Sequence, residues 1–98
     1  MKTRKLSYMP YAQAQIREYR KSDGDDFNVD VLQSYATDVL VIDYDGHFIK
    51  CYGLYSRTTI KHISSFMREK GLNYFIAKNC VLDNKIYDFV TGEYISVE

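Results

Sequence analysis

Apolar residues recur at helical spacing in the middle of the chain, at Ile60, Ile63 and Met67. This spacing places their side chains on one face of a helix. Ser56 precedes the repeat and is a favoured N-cap residue, because its hydroxyl accepts a hydrogen bond from an unpaired N–H of the first turn. The pattern therefore predicts an amphipathic helix that begins after Ser56.

A glycine turn separates this helix from a second one. Gly71 suits the left-handed conformation in which many helices end, and Met67 and Leu72 have the spacing of the apolar contact that accompanies such an end. Asn73 then caps a shorter helix that runs to about Val81. The sequence thus predicts two helices joined by a tight turn.

Alternating residues before the helices predict a β-hairpin. Asp45-Gly46 lies between two β-rich runs and is the strongest short hairpin signal. A two-residue turn at this dipeptide pairs Tyr44 with His47. The same register places four apolar residues on one face of the hairpin: Leu40, Ile42, Ile49 and Cys51. We expect that face to pack against the helices.

A second hairpin is predicted near the end of the chain, around Val90-Thr91-Gly92. We expect a three-residue loop with Gly92 in the bulge position. A two-residue turn mixes apolar and polar residues on each face, which disfavours it. In the favoured register one face carries Tyr87, Phe89, Ile95 and Val97.

The first third of the chain has a weaker pattern. Ala12, Ile16 and Tyr19 follow helical spacing, and Pro10 is acceptable in a first turn. We therefore expect a helix, or an arm that becomes ordered on a partner, over residues 8–21.

Together these elements predict a single α+β domain. Its core, residues 34–98, is an antiparallel sheet of two hairpins in the order ββ-αα-ββ, with both helices on one face. Residues 1–33 form an N-terminal helix or arm and an acidic loop. A chain of 98 residues buries enough surface to fold without disulfides. The sequence leaves the order of the strands open.

Composition argues against a membrane or secreted protein. No apolar run approaches the roughly 20 residues of a membrane-spanning helix, and the basic N-terminus lacks the apolar stretch of a signal peptide. Two cysteines, Cys51 and Cys80, do not form a disulfide framework. We expect both to be reduced and to fill the core of a cytoplasmic protein.

Charge is unevenly distributed although the net charge is zero. Residues 1–22 carry six lysines and arginines against Glu18, whereas residues 23–45 carry seven aspartates and no lysine or arginine. Such blocks are typical of interaction surfaces and also of solvated loops.

The acidic block and nearby tyrosines form the candidate partner-binding surface. Tyrosine is enriched in protein interfaces because it joins a large apolar ring to a polar tip. A carboxylate-rich surface would imitate the phosphates of a nucleic acid. Ordinary sheet packing of the tyrosines is the alternative. The candidate residues are Asp25, Asp26, Asp43, Tyr44, Asp45, Tyr52 and Tyr55.

The sequence contains no catalytic or metal-binding motif. His47 and Cys51 share a strand face but lie about 13 Å apart along it, too far for one zinc ion. Residues 22–30 lack EF-hand spacing and its closing glutamate. Cys51 and His62 can approach each other at the sheet–helix interface, but no nucleophile elbow or phosphate-binding loop is present. We expect no enzyme activity, no metal and no cofactor.

A winged-helix-like DNA-binding regulator is the alternative function. Two helices followed by a hairpin resemble that arrangement, and Arg57, Lys61 and Arg68 form a basic stripe that suits phosphate contacts. Recognition normally uses the second helix, which here is short and apolar. A neutral domain is also a poor electrostatic match to DNA. A nucleic-acid partner is therefore less favoured than a solvated basic face.

Four segments between residues 34 and 93 stand out as a set: SYATDVLVID, GLYSRTTIKHISSFMREKG, YFIAKNC and TGE. They resemble a family of small uncharacterised proteins of phages and mobile elements in Gram-positive bacteria. The resemblance implies a protein that binds and blocks host machinery, such as a CRISPR effector or another defence nuclease. No site residues follow from it.

The expected function is therefore a non-enzymatic, anti-CRISPR-like inhibitor of host defence, acting by protein–protein binding in the cytoplasm of the bacterial host. A structural protein whose hairpin edge pairs with a second copy is a further alternative.

Overall fold

The computed structural model describes residues 1–97. The strands are β1 (Lys2–Arg4), β2 (Ala14–Tyr19), β3 (Val29–Ser34), β4 (Thr37–Asp43), β5 (Phe48–Cys51), β6 (Lys85–Asp88) and β7 (Glu93–Ser96). The helices are α1 (Arg57–Glu69) and α2 (Tyr74–Leu82), and a short 3-10 turn covers Lys21–Asp23.

Within residues 1–97, seven strands form one antiparallel sheet in chain order, β1 to β7. The helices α1 and α2 connect β5 to β6. The predicted α+β class and antiparallel sheet are confirmed. The predicted ββ-αα-ββ order is wrong, because three further strands precede the first predicted hairpin.

The core lies between the two helices and one face of the sheet. It is a single cluster of buried apolar side chains, so the sheet and helices stabilise each other by excluding water from a shared interface. Its members are Leu6, Ala14, Ile16, Leu32, Val39, Leu40, Ile42, Ile49, Cys51, Ile63, Phe66, Met67, Ala77 and Cys80.

The helix ends agree with the sequence. The Ser56 hydroxyl accepts a hydrogen bond from the Thr59 N–H at 3.2 Å. At the other end of α1, Gly71 has a φ of 70°, and the Leu72 N–H donates to the Met67 carbonyl at 2.8 Å. These local bonds satisfy backbone groups that the helix leaves unpaired.

The N-terminal helix is a wrong prediction, since Ala14–Tyr19 forms strand β2. Ala14 and Ile16 also alternate with polar residues, and this strand pattern prevails because β2 pairs with β3 along its whole length. Both side chains enter the core. The predicted boundary between residues 33 and 34 lies inside β3.

The β4–β5 hairpin has the predicted register, with Leu40 opposite Cys51. Its turn is longer than expected. The strands end with the pair Asp43 and Phe48, which leaves a four-residue loop in place of a two-residue turn. Tyr44 and His47 are therefore not a strand pair, and the Asp43 carboxylate accepts a hydrogen bond from the Gly46 N–H at 2.8 Å.

The β6–β7 hairpin differs from the predicted register by one residue, because Tyr87 lies opposite Tyr94. The Asp88 carboxylate accepts hydrogen bonds from the Val90 and Thr91 N–H groups, at 2.8 and 3.1 Å, and organises a four-residue loop. Ile95, expected beside Tyr87, consequently lies on the opposite face.

No helix within residues 1–97 is long and apolar enough to cross a membrane.

Candidate functional site

The acidic block is largely compensated by the basic block that precedes it. Five ion pairs join residues 1–22 to residues 23–45, because β1 to β4 are neighbours in the sheet. The pairs, with their N–O distances, are the Met1 amino group with Asp25 (3.0 Å), Lys2 with Asp23 (3.7 Å), Arg17 with Asp38 (2.9 Å), Arg20 with Asp30 (2.8 Å) and Lys21 with Asp45 (3.7 Å).

Two of the predicted partner-binding aspartates are therefore used within the protein. Asp25 accepts a hydrogen bond from the Arg20 N–H, which holds the pKa of the Asp25 carboxyl below its usual value. Hydrogen bonds from Asn28 likewise hold the pKa of the Asp45 carboxyl below its usual value. Asp26 is exposed and Asp43 is half-buried, and neither makes an ion pair within the described chain.

The predicted tyrosines do not meet at one place. Tyr44 follows β4 and Tyr52 follows β5, and these antiparallel strands carry them to opposite ends of the hairpin. Tyr44 turns towards the helix side, whereas Tyr52 and Tyr55 are 51% and 64% exposed. The structure therefore divides the predicted acidic and aromatic surface into separate parts.

Tyr44 belongs to a buried charge cluster around Asp30. The Asp30 side chain is 0% exposed. Its Oδ2 accepts a hydrogen bond from the Tyr44 hydroxyl at 2.6 Å and lies 2.7 Å from the Lys70 Nζ. Arg20 approaches Oδ1 at 2.8 Å as an ion pair. This cluster ties β3, the β4–β5 loop and the end of α1 together.

The cluster keeps its charges at neutral pH. Burial raises the pKa of Asp30, but hydrogen bonds from Lys70 and Tyr44 outweigh burial and leave that pKa below its ordinary value. Burial lowers the pKa of Lys70, and the contacts with Asp30 and Tyr44 leave it above its ordinary value. Sequence analysis missed the cluster, although an aspartate between apolar strand residues was a signal of a buried charge.

A second polar cluster, also missed, joins β3 to α1. The Ser34 hydroxyl lies 2.7 Å from the His62 Nδ1 and 3.2 Å from the Thr59 hydroxyl. Burial lowers the pKa of His62. Ser34 and His62 are 2% and 1% exposed, so a substrate has no access to this serine–histidine pair. The pair acts as a buried link between two elements.

The cysteines are core residues. Cys51 and Cys80 are buried and free, and burial raises the pKa of each thiol to about 11. A protonated thiol is a weak nucleophile and a poor metal ligand. In residues 1–97 no three His, Cys, Asp or Glu side chains form a group that could hold a metal ion.

The face of the sheet opposite the helices, called here the helix-free face, carries an apolar groove. It has a volume of about 420 Å³, and its floor is formed by valines of β3 and β4. The Phe27 ring packs on the Tyr19 ring at a centroid distance of 5.2 Å. The lining residues are Tyr19, Phe27, Val29, Val31, Val41 and Asp43.

A row of carboxylates begins at Asp43, at one edge of this groove, and extends across the sheet to β7. Strand pairing places Asp43 opposite Phe48, Phe48 opposite Asp88, and Asp88 opposite Glu93. Within the described part of the chain none of the three acids pairs with a cation. Hydrogen bonds from the Thr91 and Val90 backbone lower the pKa of Asp88.

The basic stripe of the alternative function lies on α1. Arg57, Lys61 and Arg68 are exposed and make no ion pair within residues 1–97. The hairpin that follows the helices continues the sheet beside β5 rather than standing apart as a wing.

By fold, the described part of the chain is a small α+β domain built on one seven-stranded antiparallel sheet. The chain belongs to a family of unknown function (DUF8033), whose model matches residues 4–80. The matched range takes in β2 and β3, so these two strands are part of the family's domain. No curated protein and no solved structure matches the chain.

Proposed function

We propose that this chain is a non-enzymatic binding protein whose contact surface is the helix-free face of its sheet. The observation that carries the proposal is the apolar groove on that face. A solvated face of an antiparallel sheet normally carries polar residues. Here Val29, Val31 and Val41 instead lie together on the neighbouring strands β3 and β4, and two aromatic rings lie beside them. An apolar centre with a polar rim is the usual anatomy of a protein interface.

The charge of the rim favours a basic partner. Asp43, Asp88 and Glu93 make no ion pair within residues 1–97, and these three carboxylates outnumber Lys50, the cation beside Tyr52 on this face. Complementary charge across an interface speeds association and selects partners. Of the sequence-predicted surface, the proposal retains Asp43, which lines the groove, and Tyr52, which lies on the same face. There the Lys50 Nζ lies 5.1 Å from the Tyr52 ring centroid. Asp25 and Asp45 take no part, because their charges are compensated.

A host defence protein is the proposed target. The resemblance to small phage proteins supports a host partner, and a CRISPR effector or other defence nuclease carries basic channels that accept phosphates. An acidic row beside an apolar groove suits such a channel. The serine–histidine pair is closed to substrate, which removes it as a candidate nucleophile and base.

The test compares matched variants in capture from the cytosol of the bacterial host. The double variant Phe27→Ser/Glu93→Lys alters the helix-free face at exposed positions. The control Phe75→Ser/Asp83→Lys makes the same chemical changes at exposed positions in and after α2. Circular dichroism verifies that both variants fold.

We expect the affinity of the captured protein, measured by calorimetry after purification, to fall at least about 10-fold for the first variant. The control should bind like the wild type. Equal binding by the first variant, or an equal loss in the control, would remove the helix-free face as the contact surface.

A further inference from the structure

A groove on the helix side of the domain lies between the N-terminal loop and the outer face of α1. Its volume is about 280 Å³. The groove faces away from the helix-free face, so its role is independent of the function proposed above. Its lining residues are Tyr8, Met9, Lys61, Ser64, Ser65 and Arg68.

Helical spacing gathers the polar lining into one site. Lys61, Ser65 and Arg68 are separated by four and three residues, which places them in line on one face of α1. Lys61 and Arg68 are two helical turns apart, about 10.5 Å along the axis. Both long side chains line the same groove as Ser65.

The site lacks an anion of its own. Lys61 and Arg68 have no carboxylate within ion-pair distance in residues 1–97. Glu69 is the one acidic residue of α1. It is held elsewhere, by the Arg4 guanidinium at 2.6 Å and the Ser7 N–H at 2.7 Å. Two cations thus flank the groove without compensation.

A buried hydroxyl also points to a ligand. Ser65 is 8% exposed, and its Oγ has no hydrogen-bond partner among the described residues. A buried polar group without a partner costs free energy that a bound acceptor recovers. The Oγ itself is buried, so a lining side chain has to move before an oxyanion over Ser65 accepts this hydrogen bond together with the charge-assisted bonds of the two cations.

The aromatic side of the groove, formed by Tyr8, suits stacking by a nucleobase. The Arg68 guanidinium carbon lies 4.5 Å from the centroid of the Tyr8 ring, and Tyr8 is 54% exposed. Stacking uses the face of the guanidinium and leaves its N–H groups, which lie in the plane, free for a phosphate. An exposed ring beside cations is a common platform for nucleobases.

We propose that this groove binds a nucleotide unit, with its phosphate held by Lys61, Arg68 and the Ser65 hydroxyl and its base stacked on Tyr8. The ligand is either a free nucleotide or one unit of a single strand, since both present the same phosphate and base.

The test follows backbone amide signals of the ¹⁵N-labelled protein during titration at low salt. The probes are a 5′-mononucleotide, ribose 5-phosphate, a single-stranded oligonucleotide and a duplex of random sequence. We expect the mononucleotide to shift the amides of Tyr8, Ser64 and Ser65. Tighter binding of the oligonucleotide identifies a strand as the source, whereas equal binding per unit identifies a free nucleotide.

Matched variants assign the binding to the groove. Lys61→Gln/Arg68→Gln should weaken nucleotide binding at least about 10-fold. Lys78→Gln/Lys85→Gln removes the same charge from residues outside both the groove and the basic stripe of α1, and should leave binding unchanged. Tyr8→Ser should weaken the mononucleotide but not ribose 5-phosphate. Ser65→Ala should weaken both without lowering thermal stability, because it removes an unpaired buried hydroxyl.

Three results would overturn the proposal. The first is the absence of shifts in the groove at about 1 mM mononucleotide. The second is an equal loss in the two charge variants, which would show a general electrostatic effect. The third is binding of the duplex in preference to every single-stranded probe, which would support instead a double-stranded DNA contact along the whole basic stripe.

Discussion

The two faces of the sheet are built by the same strands but differ in whether their acidic residues pair with cations. On the helix-covered face, Asp30 is fully buried and is held by Tyr44, Lys70 and Arg20. On the helix-free face, Asp43 and Glu93 belong to a row of acids that make no ion pair within residues 1–97.

Solvent explains the difference. Where α1 and α2 exclude water, an ionised carboxylate is stable only with partners that replace its hydration. On the open face water hydrates the acids, so their charges remain available to a partner. The covered face therefore holds the fold together, and the helix-free face offers free charge and apolar area. The following experiments test that division.

The largest difference is expected between neighbouring residues of β4. Leu40 is 0% exposed on the covered face, and Leu40→Ala should lower the free energy of unfolding by about 4 kcal/mol through lost burial and a cavity. Val41 is half-buried on the other face, and Val41→Ala should cost about 1 kcal/mol. Urea denaturation measures both. Equal losses would mean that the helix-free face is as much a core as the covered one.

Asp30→Asn should have the next largest effect, about 3 kcal/mol, because it leaves Lys70 and Arg20 without their counter-charge in a partly buried place. Glu93→Gln removes a carboxylate from the helix-free face and serves as the control. The Glu93→Gln variant should have the same free energy of unfolding as the wild type. Thermal unfolding of the two variants gives the comparison, and a harmless Asp30→Asn would refute a structural role for the cluster.

Lowering the pH should reduce the free energy of unfolding in two successive ranges, one for each buried group. Each reduction should be no larger than those caused by the mutations above. The lowered pKa of His62 means that the unfolded state binds more protons, so stability falls as pH drops below about 6.5. The lowered pKa of Asp30 adds a loss that begins near pH 4 and continues through the lower pKa of the folded state.

Stability measured from pH 7 to acid checks this order. His62→Asn should remove the first loss, and Asp30→Asn should reduce the second. A wild-type curve that is flat between about pH 7 and 5 would contradict the assignment to His62.

Local signals in the sequence were sufficient for the helices and the first hairpin. Ser56, Gly71 and Asn73 act on backbone groups a few residues away, so their roles follow from position alone. The second hairpin was misjudged because its loop depends on hydrogen bonds from the backbone to the Asp88 side chain. Those bonds shift the register by one residue.

The N-terminal strands needed information from elsewhere in the fold. Ile16 fits a helical stripe and a strand alternation equally well, and only its pairing opposite Leu32 selects the strand. The predicted site was divided for a similar reason. Asp25 and Asp45 meet cations from residues 1–22, and Tyr44 meets Asp30, through contacts that no local pattern displays.

The sequence by itself determined the α+β class, the two helices with their caps, the first hairpin register and the presence of two opposite charge blocks. Those features depend on interactions between near neighbours. The tertiary structure decided which charges are compensated, which acids remain free beside Phe48, and which cations flank Ser65. Those outcomes depend on distances between segments far apart in the chain, and the seven-stranded sheet sets those distances.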